Sequence, residues 1–461
     1  MKQGLTRWTG CLGCAATGFR SGARPGNNAP CRRCEGRGLL PRESISPAAY
    51  QARGMPNLSV GIVGGGIGGM SLALALQQRN INCTIFEKDP SFDSRCQGYG
   101  LTLQQGEGIL RRMGIDNATD LGSKTTLHSA YLPDGTLLGS YGGDHRRKVS
   151  ASAKKPTPRT DKRCNVMLPR QALRDMLYQE LHAGTVRWGW KFSRFDVVPG
   201  SSPRVRVEFA EGGTEANRVE EFDLLVGADG IWSKVRHQLM GTADPPLRYL
   251  GIMVVLGRAP TTHSLGQCIF QTMDGNTRIY AMPFTPGIMM WQLSFPMDLS
   301  DAVQLSARGG GALLDEARRR CSKWHAPIGQ LLADSLADDT TGYPTYDRPS
   351  PTFENGGARG SSNGESQPAV VLIGDSCHPM SPFKGQGANQ ALVDSLRLAV
   401  ALGKCDSLSM ALEEYEQDMF VRVKRKVEGS AQAAVVLHSE AALATGNVTR
   451  ATAHKHKKTK N

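Results

Sequence analysis

No stretch of this 461-residue chain approaches the run of about 18 apolar residues that a membrane-spanning helix needs, so an integral helical membrane protein is excluded. Internal repeats are absent, which excludes solenoids and propellers. Seven of the eleven cysteines follow no pairing pattern; a disulfide-stapled secreted domain is excluded, and their scatter suits a reducing compartment. Acids are scarce in three segments. Residues 1–54 hold nine Lys or Arg against two acids, residues 142–163 eight against two, and residues 450–461 five against none. The remainder then has 33 basic against 38 acidic residues, so the net charge of +13 is confined to those three segments. A mildly acidic body argues against nucleic acid as a partner. The basic segments read as solvated tails and a loop insertion, with peripheral membrane contact the less favoured alternative. A hydrophobic content of 39% supports a sizeable core, and the length fits two or three structural units.

What is present is a set of three separated stretches. Ser59–Glu87 begins with the β-branched run Val60–Val63, then carries Gly64, Gly66, Gly68 and Gly69. The apolar run Met70–Leu76 follows, then a second strand-like run ending in Glu87. This is strand, glycine turn, helix, strand, acid: the order that binds a dinucleotide. Gly64 permits the tight turn, Gly66 lets a pyrophosphate reach the backbone, and Gly69 lets helix and sheet close. The helix N-terminus offers free N–H groups to the phosphates, and Glu87 is placed to accept from ribose hydroxyls. The motif alone does not separate FAD from NAD.

The other two stretches bear on the cofactor. Leu224–Val226 reads as a buried strand leading into Gly227, Ala228, Asp229 and Gly230. Val370–Ile373 leads into Gly374 and Asp375, then Pro379 and Pro382, then Gly385, Gly387, Ala388 and Asn389 ahead of a helix over Ala391–Ala401. An Asp at a strand end can hold a ribitol or ribose hydroxyl. A glycine turn opening a helix sets N–H groups and a positive dipole end beside an anion, as a reduced flavin is.

From about Pro56 to Ser430 the sequence resembles the single-component FAD-dependent monooxygenases of the aromatic-hydroxylase type, and is similar to their tetracycline-inactivating and zeaxanthin-epoxidising branches. The resemblance implies that Asp375 binds the ribityl chain, that Pro382 lines the flavin face, and that Gly387, Ala388 and Asn389 lie by the pyrimidine ring. It also implies a flavin-side arginine at Arg170, within "LPRQALRDML", and an arginine near the pyrophosphate, for which Arg95 is the candidate. Asp229 and Gly230 match the family's central Asp-Gly segment. Pro382 and Arg170 are thus the candidate catalytic residues. Ser376 and Cys377 replace the usual two alanines, and Lys384 replaces a small or apolar residue. Lys384 is either a solvated loop lysine or a charge that raises the flavin potential.

The implied fold is α/β: a Rossmann-like FAD-binding domain of the glutathione-reductase type, with an inserted antiparallel-sheet substrate domain and a C-terminal helix over about Leu408–Val427. Expected boundaries are 55–125, 164–243 and 366–405 for the FAD-binding domain, and 126–163 with 244–353 for the substrate domain. The basic insertion is 142–163, a flexible loop 354–365, a helical region 406–445 and a basic tail 446–461. Met253, Met282, Met289, Met290 and Trp291 are either core or the lining of an apolar pocket. The implied activity uses NAD(P)H and O₂ to hydroxylate or epoxidise a small aromatic or polycyclic substrate through a flavin C4a-hydroperoxide. NAD(P)H binds transiently, since only one full dinucleotide fingerprint is found. An FAD oxidoreductase without oxygen insertion and a non-catalytic FAD-binding sensor remain alternatives.

Residues 1–54 stand apart. Cys11, Cys14, Cys31 and Cys34 form two C-x-x-C pairs at a spacing that suits zinc. "CRRCEGRG" resembles one repeat of the cysteine-rich region of DnaJ-type chaperones. A zinc knuckle, an organelle transit segment and an untranslated extension upstream of a true start at Met55 are the three readings of this segment. The location follows: cytoplasmic, or an organelle if the segment is a transit sequence.

Overall fold

The computed structural model describes residues 8–11, 14, 16–19, 29–41, 55, 57–94, 99–104, 106–118, 122–125, 127–142, 165–200, 204–211, 217–261, 268–349 and 369–444. Arg95, nearly all of the basic insertion, and the C-terminal tail lie outside the described residues.

Five short strands make a wholly parallel sheet in the order Val186–Trp188, Asn82–Glu87, Ser59–Val63, Leu224–Gly227, Val370–Leu372. The last three are the apolar runs that head the three motif stretches, so the fold brings all three glycine turns to one edge of one sheet. These strands are buried on both faces, which is why they read as continuous apolar runs rather than alternations. Helix Ile67–Gln77 is apolar almost all round because the sheet and helix Gly387–Lys404 enclose it. Ser71 Oγ donates to Ser395 Oγ at 2.8 Å across that helix pair.

A three-stranded antiparallel sheet, Trp190–Val198, Arg204–Glu211 and Asn217–Phe222, lies against the parallel one. Val205, Val207 and Phe209 alternate into the core. Phe209 stacks on Phe86 at 4.2 Å between ring centroids, and Phe222 meets the same ring edge-on at 5.7 Å.

The second body is a seven-stranded sheet in the order Thr341–Asp347, Arg248–Pro260, Ile288–Pro296, Arg278–Thr285, Ile269–Met273, Leu127–Tyr131, Leu137–Gly142. All its pairings are antiparallel except Ile269–Met273 with Leu127–Tyr131. Period-two alternation gives it two faces. Met253, Met289, Trp291 and Leu293 pack under helices Leu299–Ala307, Gly309–Arg320 and Ile328–Ala333. Val254, Leu256, Met282 and Met290 face the other way, toward the parallel-sheet body. The two readings of the methionine-rich strands thus divide by face: Met253, Met289 and Trp291 are core, while Met282 and Met290 line the cavity described below.

The three helices were not anticipated from sequence: the first and third are short, and Gly309, Gly310 and Gly311 open the second without an apolar face. The C-terminal helix runs Leu408–Leu437, ten residues beyond the expected end. Gly429 and Ser430 read as a stop, but Val427, Ser430, Ala433, Ala434 and Leu437 are buried, and that packing carries the helix past them.

Candidate active site

A cavity of roughly 1660 Å³ lies between the two bodies. It exceeds the 300–1,000 Å³ or so of a site for one drug-sized ligand, leaving room for a large cofactor and a second molecule together.

One wall is built from the motif turns. Gly66, Gly68, Arg170, Gly230, Gly374, Asp375, Pro382, Gly385, Gly387, Ala388 and Asn389 all line it. The glycines divide into two kinds. A Cβ on Gly69 would lie 2.0 Å from the Gly64 carbonyl oxygen, and one on Gly64, which has φ +109°, 2.4 Å from the Ala228 carbonyl oxygen. These two are required by the packing of turn, helix and sheet. A Cβ on Gly66 would meet only Arg170 Nη2, at 3.9 Å, and one on Gly387 only Asp375 Oδ1, at 3.5 Å. Nothing in the protein itself requires these two to be bare; they leave the backbone open to the cavity, as a cofactor cradle requires.

Asp375 opens onto this space from the turn Gly374–Ser376. The surrounding protein desolvates its carboxyl and raises its pKa, while His378 and Arg170 lower it in part. Behind the turn lies a buried ionic hub. Asp394 accepts from His378 Nε2 at 2.7 Å, from the Gly374 N–H at 2.8 Å and from Arg422 Nη2 at 2.6 Å. Burial pushes the Asp394 carboxyl up, but His378, Arg422 and the Gly374 N–H together hold it below its ordinary value. His378 is therefore a structural group of the turn.

Asn389 has its side chain fully engaged: Oδ1 accepts the N–H groups of Gln104 and Gly106, and Nδ2 donates to the carbonyls of Thr102 and Gly385. It staples the glycine turn to the loop before helix Gly106–Arg112 and leaves only backbone to face a ligand. Lys384 lines the cavity with its Nζ against Gly429 of the C-terminal helix. The Arg170 guanidinium stands 5.4 Å from the centre of the Tyr99 ring, in the cavity wall.

Two predicted residues, Asp229 and Glu87, are engaged by the protein's own N–H groups and lie outside the cavity wall. Asp229 does not line the cavity. Its carboxylate accepts from Ser233 Oγ at 2.5 Å and from the Lys234 and Val235 N–H groups, so it caps helix Lys234–Met240; Ala228, Gly230, Ile231 and Trp232 face the cavity instead. Glu87 accepts the Gly65 N–H at 2.6 Å and the Asp89 N–H at 3.0 Å, which ties the acid to the glycine turn outside the cavity wall.

The opposite wall belongs to the large sheet, and sequence reasoning missed most of it. Tyr280 faces Gln292 and Met282 faces Met290 across paired strands, with Arg278 and Gln271 beside them. Arg278 Nε donates to Gln271 Oε1 at 2.8 Å, and its guanidinium lies 4.9 Å from the Tyr280 ring centre. His128 packs edge-on to Tyr280. Burial and the positive charge of Arg278 push its pKa down to about 3, so it is neutral. Burial raises the Tyr99 and Tyr280 phenols, with a neighbouring arginine opposing in each case. The alternation in "RIYAMPF" already set Arg278, Tyr280 and Met282 on one face; what it did not say is which face meets the cavity.

The four N-terminal cysteines also converge. Their sulfurs all lie within 4.8 Å of one another, and all four residues are buried. Burial opposes ionisation of Cys31, but the N–H groups of Cys34 and Arg33 outweigh it and bring this thiol down to about 7.

Comparison with known proteins agrees with this geometry. The profile of an FAD binding domain matches residues 57–283 and 365–430. Aurachin C monooxygenase/isomerase of Stigmatella aurantiaca is 30% identical over 381 residues, covering 81% of this chain and 88% of that one. 6-Hydroxynicotinate 3-monooxygenase of Pseudomonas fluorescens is 26% identical over 356 residues, covering 74% and 82%. The fold is that of Klebsiella pneumoniae HpxO, solved with FAD and uric acid: TM-score 0.69 at 20% identity, covering 85% of this chain and 91% of that chain. Among the described residues no helix is long and apolar enough to cross a membrane. The chain belongs to the FAD-binding family of single-component flavin-dependent monooxygenases of the aromatic-hydroxylase type.

Proposed function

We propose that this enzyme uses NAD(P)H and O₂ to hydroxylate or epoxidise a small aromatic or polycyclic molecule. The observation that carries the reading is one large cavity in which a bare-backbone, dinucleotide-type wall faces a wall of apolar and hydrogen-bonding side chains. When bound, FAD would supply the redox chemistry, hydride uptake from NAD(P)H and transfer of one atom of O₂ to the substrate with the other leaving as water. The balance is NAD(P)H, one proton, O₂ and substrate in; NAD(P)⁺, water and oxygenated substrate out.

The chain's own groups have distinct tasks. Gly66 and the N-terminus of helix Ile67–Gln77 receive the pyrophosphate. Asp375 accepts from a hydroxyl of the cofactor chain. The N–H groups at the start of helix Gly387–Lys404, with the Arg170 guanidinium, favour negative charge on the reduced ring. Pro382 closes the ring's flank. Met282, Met290, Leu256 and Ile269 exclude water, while Gln271, Arg278, Tyr280 and Gln292 orient a polar substituent. The relative named for 6-hydroxynicotinate supports an aromatic substrate with such substituents. NAD(P)H binds transiently, because the one dinucleotide fingerprint is taken by FAD. The proposal also includes a zinc ion on the N-terminal cysteines, as a structural element.

The test is an absorption spectrum of purified protein, then anaerobic NADPH or NADH, then air with candidate aromatics. Flavin bands should bleach and recover, with nucleotide consumption rising in the presence of substrate and oxygenated product formed. Bleaching without any oxygenated product would leave an oxidoreductase, and a flavin that no nicotinamide reduces would leave a sensor.

A further inference from the structure

We infer that Cys11, Cys14, Cys31 and Cys34 hold one zinc ion, and that the metal-bound segment is a strut of the FAD-binding domain. Four thiolates tetrahedrally around zinc at about 2.3 Å would set their sulfurs roughly 3.8 Å apart. The sulfurs here lie within 4.8 Å of one another, with Cys14 and Cys34 at 3.7 Å, so small side-chain adjustments close the shell. Each C-x-x-C pair sits on a tight turn, and a backbone N–H points at one sulfur in each: Gly18 to Cys14 at 3.3 Å, Gly38 to Cys34 at 3.2 Å. Such N–H groups orient a ligand and offset thiolate charge.

Among its described residues the segment has little apolar core of its own. Its buried cluster consists of the four cysteines with only Leu40 against them, and its secondary structure is the two-stranded pairing of Trp8–Gly10 with Leu39–Pro41. A metal supplies the free energy that so small a core does not. Four thiolates on zinc carry a net charge of −2, and the docking surface answers it with cations. The buried Arg79 and the half-buried Arg112 donate to the carbonyls of Ala16 and Thr17, just after the first cysteine pair, at 3.0 and 2.7 Å. Arg112 lies within electrostatic reach of Cys14 and Cys34.

The strut joins the ends of two helices. The Gly10 N–H donates to the Gln78 carbonyl at 2.8 Å, where helix Ile67–Gln77 ends. Trp8 covers Gly114, where a Cβ would fall 2.2 Å from the indole, and Arg37 pairs with Asp116 at 2.8 Å; both lie just past helix Gly106–Arg112. At their other ends both helices meet the cofactor wall, through Gly66 and through the Gly106 N–H held by Asn389. The segment therefore braces the cofactor wall from behind.

The full chain, expressed with zinc supplied, should contain one zinc per chain by elemental analysis, whether or not flavin is removed. Cys31→Ser with Cys34→Ser should lose it. Trp8→Ala with Arg37→Ala spares every sulfur; it should keep zinc, lower Tm by on the order of 4 °C and release flavin several-fold faster. Iron in place of zinc, or metal-free protein with disulfides at these positions, overturns the metal assignment. Tm and flavin release unchanged in the zinc-bearing double variant, and unchanged again in a chain lacking residues 1–54, overturn the strut. Metal content is read without turnover, so failure here is distinct from failure of the proposed activity.

Discussion

At the scale of single residues, the bare positions of the cofactor wall divide into those the fold needs and those a ligand needs. Gly69→Ala forces a Cβ to within 2.0 Å of a backbone carbonyl and should destabilise the fold by about 1–3 kcal/mol or more, as overpacking does. Gly66→Ala meets only a side-chain tip 3.9 Å away, so Tm should hold while the FAD dissociation constant rises roughly tenfold, about 1.4 kcal/mol. Thermal melts of the flavin-free proteins and FAD titrations separate the two; equal melting losses would merge the classes. Asp375→Ala removes a hydroxyl acceptor and should weaken FAD binding by on the order of 1–3 kcal/mol, read by the same titration. Spacing along the chain made these glycines legible, because a turn is a local device. His128, Gln271 and Arg278 were not legible. They lie on three strands and meet only after the sheet forms.

His128 and His438 give a pH prediction. Burial lowers their values to about 3 and about 4, with Arg278 adding to the effect in both cases. A base held below its unfolded pKa of about 6.5 contributes stability above that pH, and the contribution is lost as pH falls toward the folded value. Stability should therefore decline from about pH 6.5 toward pH 4. The ring resonances of these two histidines should stay in the neutral position down to about pH 5 in NMR spectra, with His438 titrating before His128 below that; a midpoint near 6.5 for either would refute the burial argument.

At the scale of elements, the Asp394 hub joins three of them: the turn after Val370–Leu372, helix Gly387–Lys404 and helix Leu408–Leu437. Arg422→Ala leaves a fully buried carboxylate with one partner fewer and should cost about 3–5 kcal/mol in chemical denaturation of the flavin-bound enzyme. A cost within experimental error would show that His378 and the Gly374 N–H suffice. The strand and the turn were readable from sequence because apolar run and glycine pattern are continuous there. The third partner was not, because Arg422 on a long polar helix face looks like any solvated arginine until the helix is docked. The same limit hid Asp229, whose carboxylate went to the nearest orphan N–H groups, a choice that depends on backbone torsion rather than on residue type.

At the scale of the whole molecule, two apolar cores meet across one large cavity, with a smaller cluster of Met167, Leu256, Met282 and Met290 joining the two bodies beside it. In the proposed function, FAD and substrate fill the seam. Flavin-free protein should unfold in two calorimetric steps that move together and upward as FAD is added, by about 2.7 kcal/mol at a hundredfold excess over the dissociation constant. One unchanged transition in both forms would show that the bodies are coupled without the cofactor.

The order of strands in the parallel sheet also governs how the chain is made. Ser59–Val63 sits at the sheet's centre, yet one neighbour, Leu224–Gly227, follows it far along the chain, and the sheet is complete only with Val370–Leu372. Helix Ile67–Gln77, apolar on nearly every side, waits longer still for its cover, Gly387–Lys404. At about 5–20 residues per second, a nascent chain holds that helix without its partner for roughly 15–60 seconds on the ribosome. The centre of the enzyme is thus among the first parts synthesised and the last to be sheltered, a delay during which a chaperone, or an early grip by the cysteine segment that emerges before it, has something to protect.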